Sequence, residues 1–340
     1  MIQLSAKKII FLSALILFLL VGFSGAWFAH VLLTPKKEMG KDQLFIVREG
    51  STLKEVAASL ERDGLVNARF PMIIWGKLHG YDRKIKAGEY RLNANMSPME
   101  ILERLRNGNI LTHSVTIPEG FTVKQIADLL QEKGLCDKEA FLSSIHDAPV
   151  GKDGDIPVTD LEGYLYPDTY KLARGISPIS IVHVMVERFN EKTAPLREKV
   201  KGSGMTMNEI VTLASIVEKE TGSAEERPVI ASVFLNRLKK GMRLESDPTV
   251  IYGIENFNGN LTRKDLNRPG PYNTYTERGL PAGPIANPGI DSIRAVLYPS
   301  ETDFLFFVSK NDGTHHFSKT LREHNRAVQT YQKRSRKRSG

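Results

Sequence analysis

From Ile9 to Ala29 the apolar pattern is unbroken by any charge for 21 residues, and Val31, Leu32 and Leu33 extend it past His30. At a rise of about 1.5 Å per residue, a helix of this length covers the roughly 30 Å hydrocarbon of a bilayer. Trp27 lies toward its outer end, where an indole suits the headgroup region. The run predicts a transmembrane anchor over residues 9–33, preceded by a cytoplasmic stub of residues 1–8. A cleaved signal peptide is the rival reading, because Ser24, Gly25 and Ala26 offer a small-residue site. Its apolar region would normally be only about 7–15 residues long, which favours the anchor. Lys7 and Lys8 before the run are answered by Lys36, Lys37 and Lys41 after it. Charge therefore leaves the orientation open, and the short stub favours an N-terminus inside.

Beyond the anchor the pattern becomes periodic and repeats at an offset of 70 residues: Val47-Arg48-Glu49-Gly50-Ser51-Thr52-Leu53-Lys54 is echoed by Ile117-Pro118-Glu119-Gly120-Phe121-Thr122-Val123-Lys124. Each copy predicts a strand, a glycine turn and an amphipathic helix. Thr52 with Glu55, and Thr122 with Gln125, have capping-box spacing at the helix starts, and Gly64 and Gly134 are placed to end them. Between the copies, Lys86–Leu92 reads as a strand, and Pro98 opens a helix over Met99–Arg106 that Gly108 stops. The opening of the first copy, Phe45–Ala57, resembles a LysM module, a family that binds N-acetylglucosamine-containing glycans. Gly-Ser-Thr-Leu stands here for the usual Gly-Asp-Thr-Leu, and a structural βα unit used twice is the competing reading. These patterns set a module at 42–112 and a second repeat with linker at 113–159, where Asp147–Asp160 is rich in Gly, Pro and Asp. The closely spaced aromatics of Leu161–Tyr170 read either as a packed corner or as a saccharide-stacking surface.

Thr206 and Glu209 again have capping-box spacing and open an apolar helix through Ile210, Val211, Leu213, Ala214, Ile216 and Val217. Glu218 extends its apolar row, four residues after Ala214 and seven after Val211, with Gly222 as the expected cap. A carboxylate beside apolar surface at a helix end suits a general acid, whereas the charged run Glu218-Lys219-Glu220 also reads as a solvated helix end. Ser223 and Glu226 predict a further helix through Val229–Leu238 that stops at Gly241, with Asn236 and Arg237 interrupting its apolar face. Leu244–Gly253, Pro271–Tyr275 and Gly279–Gly289 read as irregular segments dense in hydrogen-bonding groups, suited to lining a polar cleft. Asn236, Ser246, Asp247, Asn273, Tyr275 and His315 are therefore candidate substrate-binding residues around Glu218. Phe304–Val308 predicts a strand near the end.

Composition adds little to this picture. Five of the +8 net charges, Lys333, Arg334, Arg336, Lys337 and Arg338, sit in a basic tail at 331–340, and removing them leaves an unremarkable +3. No stripe of mixed basic and aromatic residues points to nucleic acid. The single cysteine, Cys136, excludes an internal disulfide or a cysteine-based metal cluster. His315 and His316 lack a partner ligand set, so no metal is expected. Neither a Walker A run nor a GxGxxG fingerprint is present.

Taken in order, Ala214–Thr221, Val233–Leu238, Ser246-Asp247-Pro248-Thr249-Val250, Tyr272-Asn273-Thr274-Tyr275, Gly279-Leu280-Pro281 and His315–Phe317 resemble the endolytic murein transglycosylase family, the YceG-like family. The resemblance implies an α+β protein: an N-terminal transmembrane helix, small LysM-like βα modules, then a mixed α+β catalytic domain at 160–330. It places the family's catalytic glutamate on Glu218. It implies non-hydrolytic cleavage of the β-1,4 bond between N-acetylmuramic acid and N-acetylglucosamine in nascent peptidoglycan strands, without cofactor. The enzyme would sit in the inner membrane with its body on the periplasmic side, with peptidoglycan synthases as expected partners. Glu245 departs from the expected Gln. Two rivals stay open at this point: a hydrolytic muramidase, separable by its products, and a non-catalytic wall-binding scaffold.

Overall fold

The computed structural model describes residues 6–36, 40–147 and 161–333. The linker at 148–159 and all of the basic tail beyond Lys333 lie outside the described residues. The chain divides into two compact units, one of Met1–His113 with Lys171–Ser177, the other of Ser114–Tyr170 with Pro178–Gly340. The second βα copy thus belongs with the C-terminal residues, where the sequence pattern had set it apart with a linker.

The first unit begins with helix α1 (Ala6–Leu33), whose stretch Ile10–Leu33 is long and apolar enough to cross a membrane. Its last turn is not free for lipid, because Leu32 is 2% exposed within the unit's core and Phe28 packs against the same cluster. Strand β1 (Gln43–Val47), helices α2 (Leu53–Arg62) and α3 (Arg69–Leu78), strand β2 (Gly88–Leu92) and helix α4 (Pro98–Asn107) complete it. β1 and β2 pair antiparallel, Gln43 opposite Leu92 and Val47 opposite Gly88, so Phe45, Val47, Tyr90 and Leu92 enter one core. Both α2 and α4 start on full capping boxes, Thr52 with Glu55 and Ser97 with Glu100. Leu53, Val56 and Leu60 of α2 and Ile101, Leu102 and Leu105 of α4 fill that core, each worth about 1.5–3 kcal/mol of transfer free energy. The strand expected over Lys86–Leu92 starts two residues later.

Strand β3 (His113–Thr116) begins on the last residue of the first unit and β4 (Thr169–Leu172) ends in its returning segment; the second unit holds α5 (Val123–Glu132), α6 (Lys138–Asp147), α7 (Pro178–Thr193) and α8 (Arg197–Ser203). β3 and β4 form a two-stranded sheet. Then come α9 (Met207–Glu220), α10 (Arg227–Lys239), α11 (Asp247–Tyr252), α12 (Arg263–Leu266), α13 (Ile290–Leu297), the antiparallel hairpin β5 (Phe306–Ser309) and β6 (His315–Ser318), and α14 (Leu321–Val328). Helix α9 is the centre, packed against α10, α11 and α13. Every residue from Ile210 to Val217 is buried, including the polar Thr212 and Ser215. Ser215 is accommodated because its hydroxyl donates to Thr212 O (2.7 Å) and accepts from Ile285 N–H (3.0 Å).

One open alternative is decided, and two local expectations need correction. The aromatics of Leu161–Tyr170 form a packed corner, because Tyr164, Tyr166 and Tyr170 are buried and offer no ring face to a sugar. Tyr164 donates to Asn208 Oδ1, and its ring meets Phe189 edge-on at 5.0 Å. Residues 247–252 are helical rather than irregular, since Pro248 in the first turn costs no hydrogen bond. Helix α9 ends on the extended Thr221 (φ −144°), so Gly222 is not its cap.

Candidate active site

Helix α9 begins with the expected reciprocal cap: Thr206 N–H donates to Glu209 Oε2 (2.8 Å) and Glu209 N–H to Thr206 Oγ1 (3.2 Å). Because the helix is buried almost all round, its last turn delivers Glu218 to an interior position, and the side chain is only 6% exposed. Both carboxylate oxygens are engaged. Arg227 Nη2 donates to Oε1 at 3.3 Å, and Gly289 N–H donates to Oε2 at 3.0 Å. A charge-assisted bond on one side and a main-chain donor on the other fix the carboxylate in one orientation.

The turn of the second repeat builds the other wall. The Gly120 main chain lies close to Glu218, since a Cβ there would stand 3.5 Å from Glu218 Cγ. Lys219 Nζ donates to Gly120 O at 3.2 Å. Asn287 clamps this turn to the loop that carries Gly289. Gly120 N–H donates to Asn287 O and Asn287 N–H to Phe121 O, both at 2.9 Å. The Asn287 amide also donates to Phe121 O (2.9 Å) and Glu162 Oε1 (3.0 Å) and accepts from Leu165 N–H (2.8 Å). Glu162, itself buried, takes the N–H of Val123 at the start of α5 and the hydroxyl of Tyr252 (3.2 Å). A cavity of about 1160 Å³ opens beside this assembly, lined among others by Val123, Gln125, Ile145, Lys219, Tyr252 and Phe257.

The six accompanying residues expected around Glu218 fall into two classes. Ser246, Asp247, Tyr275 and His315 gather on the side of Glu220. Ser246 Oγ donates to Glu220 Oε1 at 2.5 Å, and Tyr275 Oη donates to Asp247 Oδ1 at 2.6 Å. Asp247 and His315 both act electrostatically on Glu220, and His315 Nδ1 pairs with Glu226 at 2.7 Å. Burial pushes the Glu220 carboxyl up to about 7, Ser246 opposing and Asp247 adding to the rise. Burial and then Asp247 likewise raise the Tyr275 hydroxyl. The two asparagines hold main chain instead. Asn236 donates to Thr302 O (2.7 Å) and Phe304 O (3.1 Å), and Asn273 to Leu266 O (3.0 Å) and Arg268 O (2.7 Å). Glu245, with a left-handed φ of 51°, pairs with Arg237 at 3.3 Å. Among the described residues no set of three or more His, Cys, Asp or Glu side chains is placed to hold a metal ion.

Arg227, Glu162, Asn287 and Gly289 were not singled out in the sequence, although Asn287 and Gly289 lie in the Gly279–Gly289 segment expected to line the cleft. The Gly120 turn carried a signal, because Glu119-Gly120 recurs as Glu49-Gly50.

Comparison with known proteins places this geometry in context. Residues 45–330 match the model of the YceG-like family. The chain is 32% identical over 317 residues to the endolytic murein transglycosylase of Bacillus subtilis, covering 88% of each. It is 31% identical over 314 residues to the endolytic murein transglycosylase of Streptococcus pneumoniae, covering 83% of this chain but 57% of that longer protein. A solved structure of a YceG-like protein from Listeria monocytogenes superposes with a TM-score of 0.57 at 34% identity, covering 85% of this chain and all of the other.

Proposed function

This chain belongs to the YceG-like family, and on that premise we propose that it cleaves peptidoglycan glycan strands as a lytic transglycosylase, with Glu218 as the proton carrier. The observation that carries the role of Glu218 is its seat: a nearly buried carboxylate, pinned by Arg227 and Gly289 N–H, next in the chain to Lys219, which lines a cavity of about 1160 Å³. The bond cut is the β-1,4 link from N-acetylmuramic acid to N-acetylglucosamine. Glu218 gives its proton to the bridging oxygen as that oxygen leaves C1, which becomes oxocarbenium-like. The muramyl C6 hydroxyl then attacks C1 and returns its proton to Glu218, closing a 1,6-anhydro ring. Water is not consumed. The attacking hydroxyl is already part of the substrate, so its high effective molarity removes the need to activate a separate nucleophile.

Within this reading, Ser246, Asp247, Tyr275 and His315 contact saccharide from the Glu220 side, and Asn236 and Asn273 hold the main chain that presents them. The LysM likeness of Phe45–Ala57 supports the same class of substrate. Helix α1 anchors the chain in the cell membrane by a single span, with the body on the extracytoplasmic side, where the glycan lies. Strands still being made by peptidoglycan synthases are the substrates nearest to such an anchor, and cutting them terminates their growth during wall assembly. Mass spectrometry of products made from purified glycan in oxygen-labelled water tests the chemistry. The expected ends are 1,6-anhydromuramyl and free of label; labelled reducing ends would make the enzyme a hydrolase.

A further inference from the structure

The mechanism above leaves one carboxylate beside Glu218 unused. Glu119 stands in the turn between β3 and α5, and Arg227 Nη2, which contacts Glu218 Oε1 at 3.3 Å, also lies 3.5 Å from Glu119 Oε2. One nitrogen thus holds the two oxygens no more than about 7 Å apart, a limit that includes the roughly 5–5.5 Å at which retaining glycosidases set their paired carboxylates. Gly289 shows how closely the second carboxylate is seated. A Cβ on Gly289 would stand 1.9 Å from Glu119 Oε1 and 2.2 Å from its Cδ, although the glycine's φ of −71° suits any residue. A side chain at this position would have to push aside the end of the Glu119 side chain. The same glycine donates its N–H to Glu218, so its main chain lies against both acids. Glu119 is the open member of the pair, with 47% of its side chain exposed against 6% for Glu218. Burial and the neighbouring Glu218 raise its pKa, and Arg227 opposes that rise.

We propose that Glu119 is a second carboxylate of the reaction, facing the positive charge that develops at C1 while Glu218 handles the proton. The assignment rests on the lytic reading above and adds no bond to it: the C1–oxygen bond breaks and the O6–C1 bond forms as before. Its necessity comes from Arg227. A guanidinium that steadies Glu218 would, uncompensated, repel an oxocarbenium-like centre forming nearby. Glu119 cancels that charge when Glu218 is protonated. Once Glu218 has given up its proton, the trio carries one net negative charge as the sugar becomes positive. Charges fixed in place before the reaction act on the transition state without reorganisation cost.

The test uses the full-length enzyme in detergent and the near-isosteric Glu119→Gln variant. Turnover on purified glycan is expected to fall about ten- to hundredfold, with KM changed less than about threefold. Products should keep their 1,6-anhydro ends, and the melting temperature should hold, since the position is half exposed. A merely structural role is separated by binding. Affinity for a protonated iminosugar of N-acetylhexosamine should drop by a factor similar to turnover, while affinity for an uncharged, uncleavable glycan stays put. Glu119→Asp should recover part of both. Equal losses for the cationic and neutral ligands, or wild-type turnover, would overturn the assignment. Labelled reducing ends from the wild-type enzyme would instead overturn the lytic reading and leave the iminosugar comparison to decide on Glu119.

Discussion

Glu218→Gln is expected to lower turnover on glycan strands to about one ten-thousandth or less of the wild-type rate. General acid–base assistance alone is typically worth about 10²–10⁴, and here one group is proposed to serve both proton transfers. Glutamine keeps the length of the side chain but cannot release a proton to a departing sugar oxygen. The structure also shows a cost that the helix pattern alone did not. Glu218 accepts from Arg227 with one oxygen and from Gly289 N–H with the other, and an amide has a single acceptor oxygen. If the amide oxygen stays on Gly289, its NH₂ meets the Arg227 guanidinium. Arg227 retains Glu119 at 3.5 Å, so the loss in stability should stay near 1–2 kcal/mol rather than the full cost of an orphaned buried charge. The variant therefore folds, and its turnover is interpretable beside a melting curve. Turnover near wild type in a folded Glu218→Gln enzyme would remove Glu218 from the mechanism.

What was legible in the sequence follows from how local each determinant is. Helices α2, α5 and α9 were readable because their caps are written within four residues, and α4 because Pro98 and Gly108 bracket it. The packing of Tyr164, Tyr166 and Tyr170 was not, because an aromatic run says nothing about which ring faces are covered. That depends on partners such as Phe189, 25 residues further on in α7. Helix α11 was hidden inside a Pro-bearing segment that reads equally well as a loop.

The site divides along the same line. Glu218 is singled out in the sequence by the apolar row of its own helix together with the family motifs. Its partners could not be derived from that helix, because Gly289 lies 71 residues away in a segment with no hydrophobic period, and the Gly120 turn lies about 100 residues upstream. Asn287 had the least visible role: a lone Asn in a Pro-rich stretch proves to be fully buried and to join three segments. Polar interruptions suggested one grouping of Asn236, Ser246, Asp247, Asn273, Tyr275 and His315 around Glu218, of which Ser246, Asp247, Tyr275 and His315 gather elsewhere. The residue that gathers them is Glu220, which in sequence looked like one more charge in a solvated helix end.

Glu220 is also where pH should act on stability. Its carboxyl is raised from 4.5 to about 7 in the folded protein, chiefly by burial. Between those two values the folded state keeps a proton that the unfolded chain has released, so stability falls as pH rises through this window. Below 4.5 both states are protonated and the penalty is absent; above 7 the full penalty applies, on the order of 3 kcal/mol for a shift of this size. Glu220→Gln removes the ionisation and keeps an acceptor for the Ser246 hydroxyl, which now donates to Glu220 at 2.5 Å. Its amide NH₂ gains a neighbouring anion in Asp247, whose charge currently adds to the rise at Glu220. The variant should match wild type at pH 4 and exceed it at pH 8.5, by roughly 4–12 °C in melting temperature for a unit of this size. The comparison is between two proteins at each pH, so titrations of groups that do not act on Glu220 cancel. Thermal unfolding followed by circular dichroism across that range measures the difference directly. A constant difference at every pH would show that Glu220 titrates alike in the folded and unfolded chain. A loss of stability that deepens above pH 7 would show instead that the charged form is the one the fold prefers.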